Sequence, residues 1–166
     1  MRRYPELLSG AVLPEPSVFA LDPAGGAQVM ADLKPALGAA MAAGGPRAAV
    51  DAFLDYMCPG LWRAIDEAHR EPYRANAGEL LPDLQMPPYQ VTPADLARVR
   101  VPCLIVKGDR SNPSLMRIAE TIAASVSDAE LLELAECGHV TYAEQPVAFA
   151  SAVRAFAARL APVNQR

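Results

Sequence analysis

His139 is the residue of this sequence best placed to do chemistry. It lies just after residues 130–135, an apolar segment with the length of a buried strand. Open α/β sheets bind their ligands at the carboxyl ends of the parallel strands. Because histidine changes protonation near neutral pH, it can transfer protons there. The sequence therefore predicts acid–base chemistry at His139. The other histidine, His69, stands in a polar run and is interpreted as a surface residue.

Alternating strand and helix patterns surround His139. Residues 101–106 form a continuous apolar run, typical of a strand that is covered on both faces. Apolar residues at helical spacing follow both this run and residues 130–135. A third apolar run, residues 7–13, ends at Pro14 and predicts a buried strand that stops there. Short connections between these elements indicate right-handed crossovers. We predict an α/β fold with a three-stranded parallel sheet flanked by helices.

Residues 22–97 have a different character, being rich in alanine, helical in spacing and interrupted by proline and glycine. We predict three to five short helices here. Because this segment lies between two sheet strands, it is interpreted as a helical cap, or lid, inserted after the first strand. The predicted domains are a core of residues 1–21 and 98–166 and a cap of residues 22–97.

The composition excludes several classes of function. The formal charge is −4, and the 15 basic residues form no cluster, so nucleic acid is not an expected partner. The three scattered cysteines form neither a disulfide framework nor a metal site, and no cofactor or metal is predicted. No apolar run reaches the roughly 18 residues that cross a membrane, and no signal peptide is evident. We expect a cytoplasmic protein with no membrane partner.

The motifs from residue 101 onward resemble the C-terminal half of an α/β hydrolase. Residues 101–108 contain P-x-L-x-x-x-G, residues 137–139 read Cys-Gly-His, and a proline-led final helix follows residues 144–146. The resemblance covers essentially the whole chain, with residues 7–13 similar to the sixth strand and 22–97 to the cap. It implies that His139 is the catalytic base, which takes a proton from the nucleophile and returns one to the leaving group.

The catalytic acid departs from the commonest pattern of that family. Many members have aspartate where this sequence has Ser111, and a hydroxyl cannot neutralise an imidazolium. Glu15, at the end of the neighbouring strand, is the favoured replacement, since some relatives have a glutamate there. We expect Pro14 and Pro16 to hold its backbone extended. Asp109 is the alternative acid; a third possibility is that there is no functional acid. The simpler interpretations are a solvated loop charge for Glu15 and a helix cap for Asp109.

The family nucleophile is not found in these 166 residues. A nucleophile elbow reads G-x-S-x-G, and none of the seven serines has glycines two residues to each side. Cys137 precedes His139 by two residues but is interpreted as structural. We therefore expect the C-terminal part of a hydrolase of small, fairly apolar, ester-like substrates, which supplies base and acid and is inactive alone.

Two further questions stay open at the sequence level. The alternative function is a non-catalytic pseudoenzyme or interaction module derived from a truncated hydrolase. The predicted first strand has an unpaired edge, and such an edge invites pairing with another chain. The expected protein partner is either an N-terminal hydrolase half or a second copy of this chain.

Overall fold

The structure, a computed structural model, describes residues 4–83 and 89–160. These residues form two compact units, one from residues up to 22 and from 89 onward, the other from residues between 23 and 88. The strands are β1 Ala11–Pro14, β2 Cys103–Gly108 and β3 Ala129–Leu134. The helices are, in chain order, α1 Pro23–Met57, α2 Pro59–Ala64, α3 Glu67–Ala75, α4 Ala77–Asp83, α5 Pro93–Leu96, α6 Pro113–Ser125, α7 Thr141–Glu144 and α8 Pro146–Arg159.

The first unit contains a parallel sheet of order β1-β2-β3. Leu13 lies beside Ile105, and Ile105 lies beside Leu131, so the strands pair in register without a bulge. Every residue of β2 is buried, as expected for a central strand covered on both faces. The predicted three-stranded parallel sheet flanked by helices is confirmed.

The first strand is shorter than the sequence predicted. Residues 7–13 were expected to be strand, but Pro5–Leu7 is a 3-10 turn and β1 begins at Ala11. Pro14 is the last residue of β1 and does not lie beyond the end of the strand. The amide of Ala11 donates to the carbonyl of Pro102, just before β2, and the amide of Glu15 donates to Val106 of β2. Alternation along the strand therefore directs the nitrogen of Pro14 away from β2. The missing N–H of proline therefore costs this ladder nothing.

The sheet has a different apolar layer on each face. On one face, Leu104 and Val106 pack in a cluster with Phe156 of α8. On the other face, α6 covers β2 with the side chains of Leu115 and Ile118, both fully buried. These layers fix the strand ends, and thus the loops that follow them, in one position.

Lys107 is the charged residue of β2 and is almost fully buried. Its ammonium lies 2.5 Å from Glu120 of α6 and 2.9 Å from Glu133 of β3. These two hydrogen bonds raise the pKa of Lys107, and the bond to Glu120 has the larger effect. The two carboxylates compensate for the loss of hydration of the buried Lys107 ammonium.

The second unit consists of α1 to α4, with α2, α3 and α4 all contacting α1. The helix α1 is interrupted at Gly45, whose φ of 71° is outside the helical region. Glycine tolerates this conformation, and Pro46 begins the next helical turn. Trp62 is buried and lies under the guanidinium of Arg70, 5.3 Å from the ring centre.

The chain returns to the sheet unit before β2 begins. Residues 89–97 belong to the sheet unit, since α5 contacts α6 and Leu96 is buried. Thr92 and Asp95 form an N-terminal cap of α5 through reciprocal hydrogen bonds. Within residues 4–83 and 89–160, no helix is long and apolar enough to cross a membrane.

Candidate active site

Three loops meet at the carboxyl edge of the sheet. Residue Glu15 follows β1, residues 109–112 follow β2, and residues 135–140 follow β3. Because the strands are parallel and adjacent, their carboxyl ends are neighbours. The sequence-predicted site residues Glu15, Asp109 and His139 therefore all lie at this edge.

Glu15 is buried and has an uncommon backbone conformation. Its amide continues the ladder by donating to the carbonyl of Val106 at 2.9 Å. Its φ is +38°, in the left-handed region that non-glycine residues rarely adopt. The prediction that Pro14 and Pro16 hold Glu15 extended is wrong. The chain turns sharply at Glu15, where its side chain reaches the loop after β2, and such strain is typical of functional sites.

The Glu15 carboxylate has three hydrogen-bond partners. Its Oε1 accepts from the backbone N–H of Gly108 at 2.7 Å. Its Oε2 accepts from the hydroxyl of Ser111 and lies 2.9 Å from Nδ1 of His139. A buried carboxylate needs such partners to offset its loss of hydration. The interpretation of Glu15 as a solvated loop charge is therefore excluded by its 1% exposure.

His139 lies between the buried carboxylate and solvent. Its side chain is 23% exposed, and its Nδ1 faces Glu15. An ionised carboxylate only accepts hydrogen bonds, so this contact requires a proton on Nδ1. Within the described parts of the chain, Nε2 has no hydrogen-bond partner. In the neutral ring, Nε2 is then an acceptor that can take a proton.

Asp109 points to a different part of the site. Its Oδ1 accepts from the amide of Cys137 at 3.1 Å. This hydrogen bond, with a second from the amide of Glu136, lowers the pKa of Asp109. Among the described residues it has no hydrogen bond to His139. The cap of α6, which was the simpler interpretation of Asp109, is supplied by Asn112, which accepts from the amide of Ser114 at 2.9 Å.

Gly108 allows the loops after β2 and β3 to touch. A Cβ atom on Gly108 would lie 2.1 Å from the carbonyl oxygen of Cys137 and 2.5 Å from that of Gly138. These are backbone atoms and cannot move aside alone. The absence of a side chain at Gly108 thus brings the His139 loop within reach of the end of β2.

Cys137 is buried beneath the site. Burial raises the pKa of its thiol to about 11, and the carboxylates of Glu144, Glu15 and Asp109 act in the same direction. A thiol with this pKa is protonated at neutral pH and is a poor nucleophile. This agrees with the structural role that we assigned to Cys137.

The remaining candidates lie outside this arrangement. His69 is exposed, and its ring contacts Asp66 at 2.7 Å in α3, as a surface residue would. Across residues 4–83 and 89–160, no group of three or more histidine, cysteine or carboxylate side chains could hold a metal ion.

Sequence analysis missed Glu144 and the amide of Gly108 as parts of the site. The Glu144 carboxylate accepts from the backbone amides of Gly138 and Val140, on either side of His139. Its position five residues after His139 is a usable signal, but a loop carboxylate has many possible partners. Backbone donors such as Gly108 leave no mark in a sequence.

The fold and the site geometry agree with the comparison to known families. The model of the alpha/beta hydrolase family matches residues 2–152. The chain therefore belongs to the alpha/beta hydrolase family. No match was found among the curated proteins.

Solved structures have a similar fold. A hydrolase from Pseudomonas aeruginosa PA01 is 26% identical with a TM-score of 0.58, over 76% of this chain and 49% of that chain. BpoC from Mycobacterium tuberculosis H37Rv is 20% identical with a TM-score of 0.68, and the match covers 98% of this chain and 62% of BpoC. An alpha/beta hydrolase from Sphaerobacter thermophilus DSM 20745 is 25% identical with a TM-score of 0.54, and the match covers 75% of this chain and 49% of that hydrolase. The chain thus spans about half to three fifths of these proteins.

Proposed function

We propose that this chain supplies the catalytic base and acid of an α/β-hydrolase active centre, with His139 as base and Glu15 as the acid that orients it. The observation that carries the proposal is the 2.9 Å contact between Nδ1 of His139 and the fully buried carboxylate of Glu15. Membership of the hydrolase family and the 26% identity to a Pseudomonas hydrolase support it.

In the proposed mechanism, the proton on Nδ1 stays in the hydrogen bond to Glu15. Nε2 then accepts the proton of the nucleophile as it attacks the substrate carbonyl, and the charged ring donates a proton to the leaving group. The negative Glu15 stabilises the transient imidazolium. Ser111 and the amide of Gly108 hold the carboxylate in the orientation that this step needs.

The nucleophile in this proposal comes from outside the 166 residues, because none of their serines stands in a G-x-S-x-G elbow. The proposed substrate is a small, fairly apolar ester. We further propose that the helical unit, inserted between β1 and β2 in the chain, serves as a substrate-selecting cap. The proposed partner is an N-terminal hydrolase half that pairs with the free edge of β1, with a homodimer through this edge as the alternative.

A non-catalytic role, as a pseudoenzyme or interaction module, is the competing proposal. The observation that favours it is the same absence of an elbow from these 166 residues. It predicts that the His139 and Glu15 pair has no effect on any turnover. Reconstitution experiments separate the two proposals.

The test combines this chain with an N-terminal hydrolase half that contains an elbow and measures hydrolysis of a nitrophenyl ester. The chain alone should neither hydrolyse the ester nor react on serine with a fluorophosphonate. The reconstituted protein should be active, His139→Ala should abolish the activity, and His69→Ala should leave it unchanged. Serine labelling of the chain alone, or activity that is indifferent to His139→Ala, would refute the proposal.

A further inference from the structure

The Glu144 carboxylate bridges the two backbone amides that flank His139. Its Oε2 accepts from the N–H of Gly138 at 2.8 Å, and its Oε1 accepts from the N–H of Val140 at 3.2 Å. One side chain thereby holds the backbone on both sides of the histidine.

This arrangement exceeds what a helix cap requires. Val140 precedes α7, and a hydrogen bond between its amide and Glu144 would be enough to cap that short helix. The contact with Gly138 lies beyond His139 and adds nothing to the helix. A Cβ atom on Gly138 would lie 3.0 Å from Oε1 of Glu144, so a larger residue there would crowd the carboxylate.

Glu136 provides an internal contrast within the same loop. Its side chain is 74% exposed and pairs with Arg110 at 3.1 Å. It carries the same charge only three residues before His139, yet it pairs with the exposed guanidinium of Arg110 and not with the backbone of the loop. The bridging position is thus specific to Glu144.

We propose that Glu144 is a positioning residue for His139, which fixes the histidine backbone so that Nδ1 meets Glu15. The inference rests on the proposed function of His139 as base. Both bonds are formed by a charged acceptor, and such bonds are stronger than neutral ones. Without them, residues 138–140 would sample other conformations, and the ring would leave Glu15 for part of the time.

The test compares Glu144→Ala and Glu144→Gln with the control Glu136→Gln, all in the full chain. Glutamine keeps one carbonyl acceptor, so one of the two bonds can survive. Amide hydrogen exchange at Gly138 and Val140 should become about ten- to a hundredfold faster in Glu144→Ala, the loss expected for bonds to a charged group. The downfield NMR signal of the His139 Nδ1 proton should disappear in Glu144→Ala, weaken in Glu144→Gln and persist in Glu136→Gln.

The outcomes separate this inference from the proposed function. An unchanged Nδ1 signal and slow exchange in folded Glu144→Ala would overturn the positioning role while the His139 and Glu15 pair stands. A wild-type chain without a bonded Nδ1 proton would overturn the pair itself, and the positioning role with it. If circular dichroism shows that Glu144→Ala is unfolded, Glu144→Gln decides: an Nδ1 signal as strong as in the wild type would overturn the inference.

Discussion

Glu15 and His139 are 124 residues apart in the chain, yet Oε2 of the glutamate lies 2.9 Å from Nδ1 of the histidine. The loops after the two outer strands create this contact, Glu15 following β1 and His139 following β3. Because β2 lies between them, the glutamate must turn inward over the end of β2. Its positive φ and its bond to Gly108 are the features that accomplish this turn.

Glu15→Gln should reduce the turnover of the reconstituted hydrolase far more than Asp109→Asn. Replacing the orienting aspartate of a serine protease by asparagine lowers kcat by about 10⁴, and a loss of similar order is expected at Glu15. Asp109 bonds to the amide of Cys137 instead of the His139 ring, and asparagine retains an acceptor there. Steady-state ester hydrolysis measures both variants. The reverse ranking would reject Glu15 as the acid.

Ser111→Asp should destabilise the chain strongly in the native background and much less in a Glu15→Gln background. The Ser111 hydroxyl already contacts Oε2 of Glu15, so an aspartate there would face a buried like charge. Urea unfolding of the wild type, the two single variants and the double variant forms a double-mutant cycle. We expect a coupling energy of about 0.5–3 kcal/mol. Additive effects of the two substitutions would show that the carboxylate is not where we describe it.

Gly108→Ala should destabilise the sheet unit, whereas Gly38→Ala should not. The new methyl group at Gly108 meets two carbonyl oxygens, and overpacking of this kind costs about 1–3 kcal/mol. Gly38 lies in α1 with no atom within 4 Å of the added Cβ, so alanine should stabilise by about 0.5–1 kcal/mol. Chemical denaturation gives both free energies of unfolding. Equal effects at the two glycines would contradict the close approach of the loops.

The stabilising effect of Asp109 should depend on pH in the acid range. Backbone amides lower its pKa in the folded chain from the ordinary value of 3.8, so the folded state favours the ionised form. This contribution is fully present above the unfolded pKa and is lost as pH falls through the folded pKa. The difference in unfolding midpoint between wild type and Asp109→Asn should therefore be constant near neutral pH and shrink below about pH 4. A difference that grows on acidification would contradict the assigned hydrogen bonds.

The sheet and its helices could be predicted because their apolar patterns are local. The apolar run in β2 and the proline that begins α8 each mark an element within a few residues. Glu15 could be selected because only its charge, its place after a strand and the serine at position 111 were needed. The turn at Glu15 could not be foreseen, since flanking prolines favour extended backbone and tertiary hydrogen bonds override that preference. The bridge formed by Glu144 also depends on a loop conformation that no periodicity encodes.

The tautomer of the neutral His139 ring shows whether Glu15 orients this histidine as a base. Nitrogen-15 NMR of the imidazole groups is tractable, because His69 and His139 are the only two histidines. We expect the neutral His139 ring to carry its proton on Nδ1, hydrogen-bonded to Glu15, and to leave Nε2 able to accept one. A neutral ring with its proton on Nε2 would contradict the account, since that nitrogen could not then serve as the base.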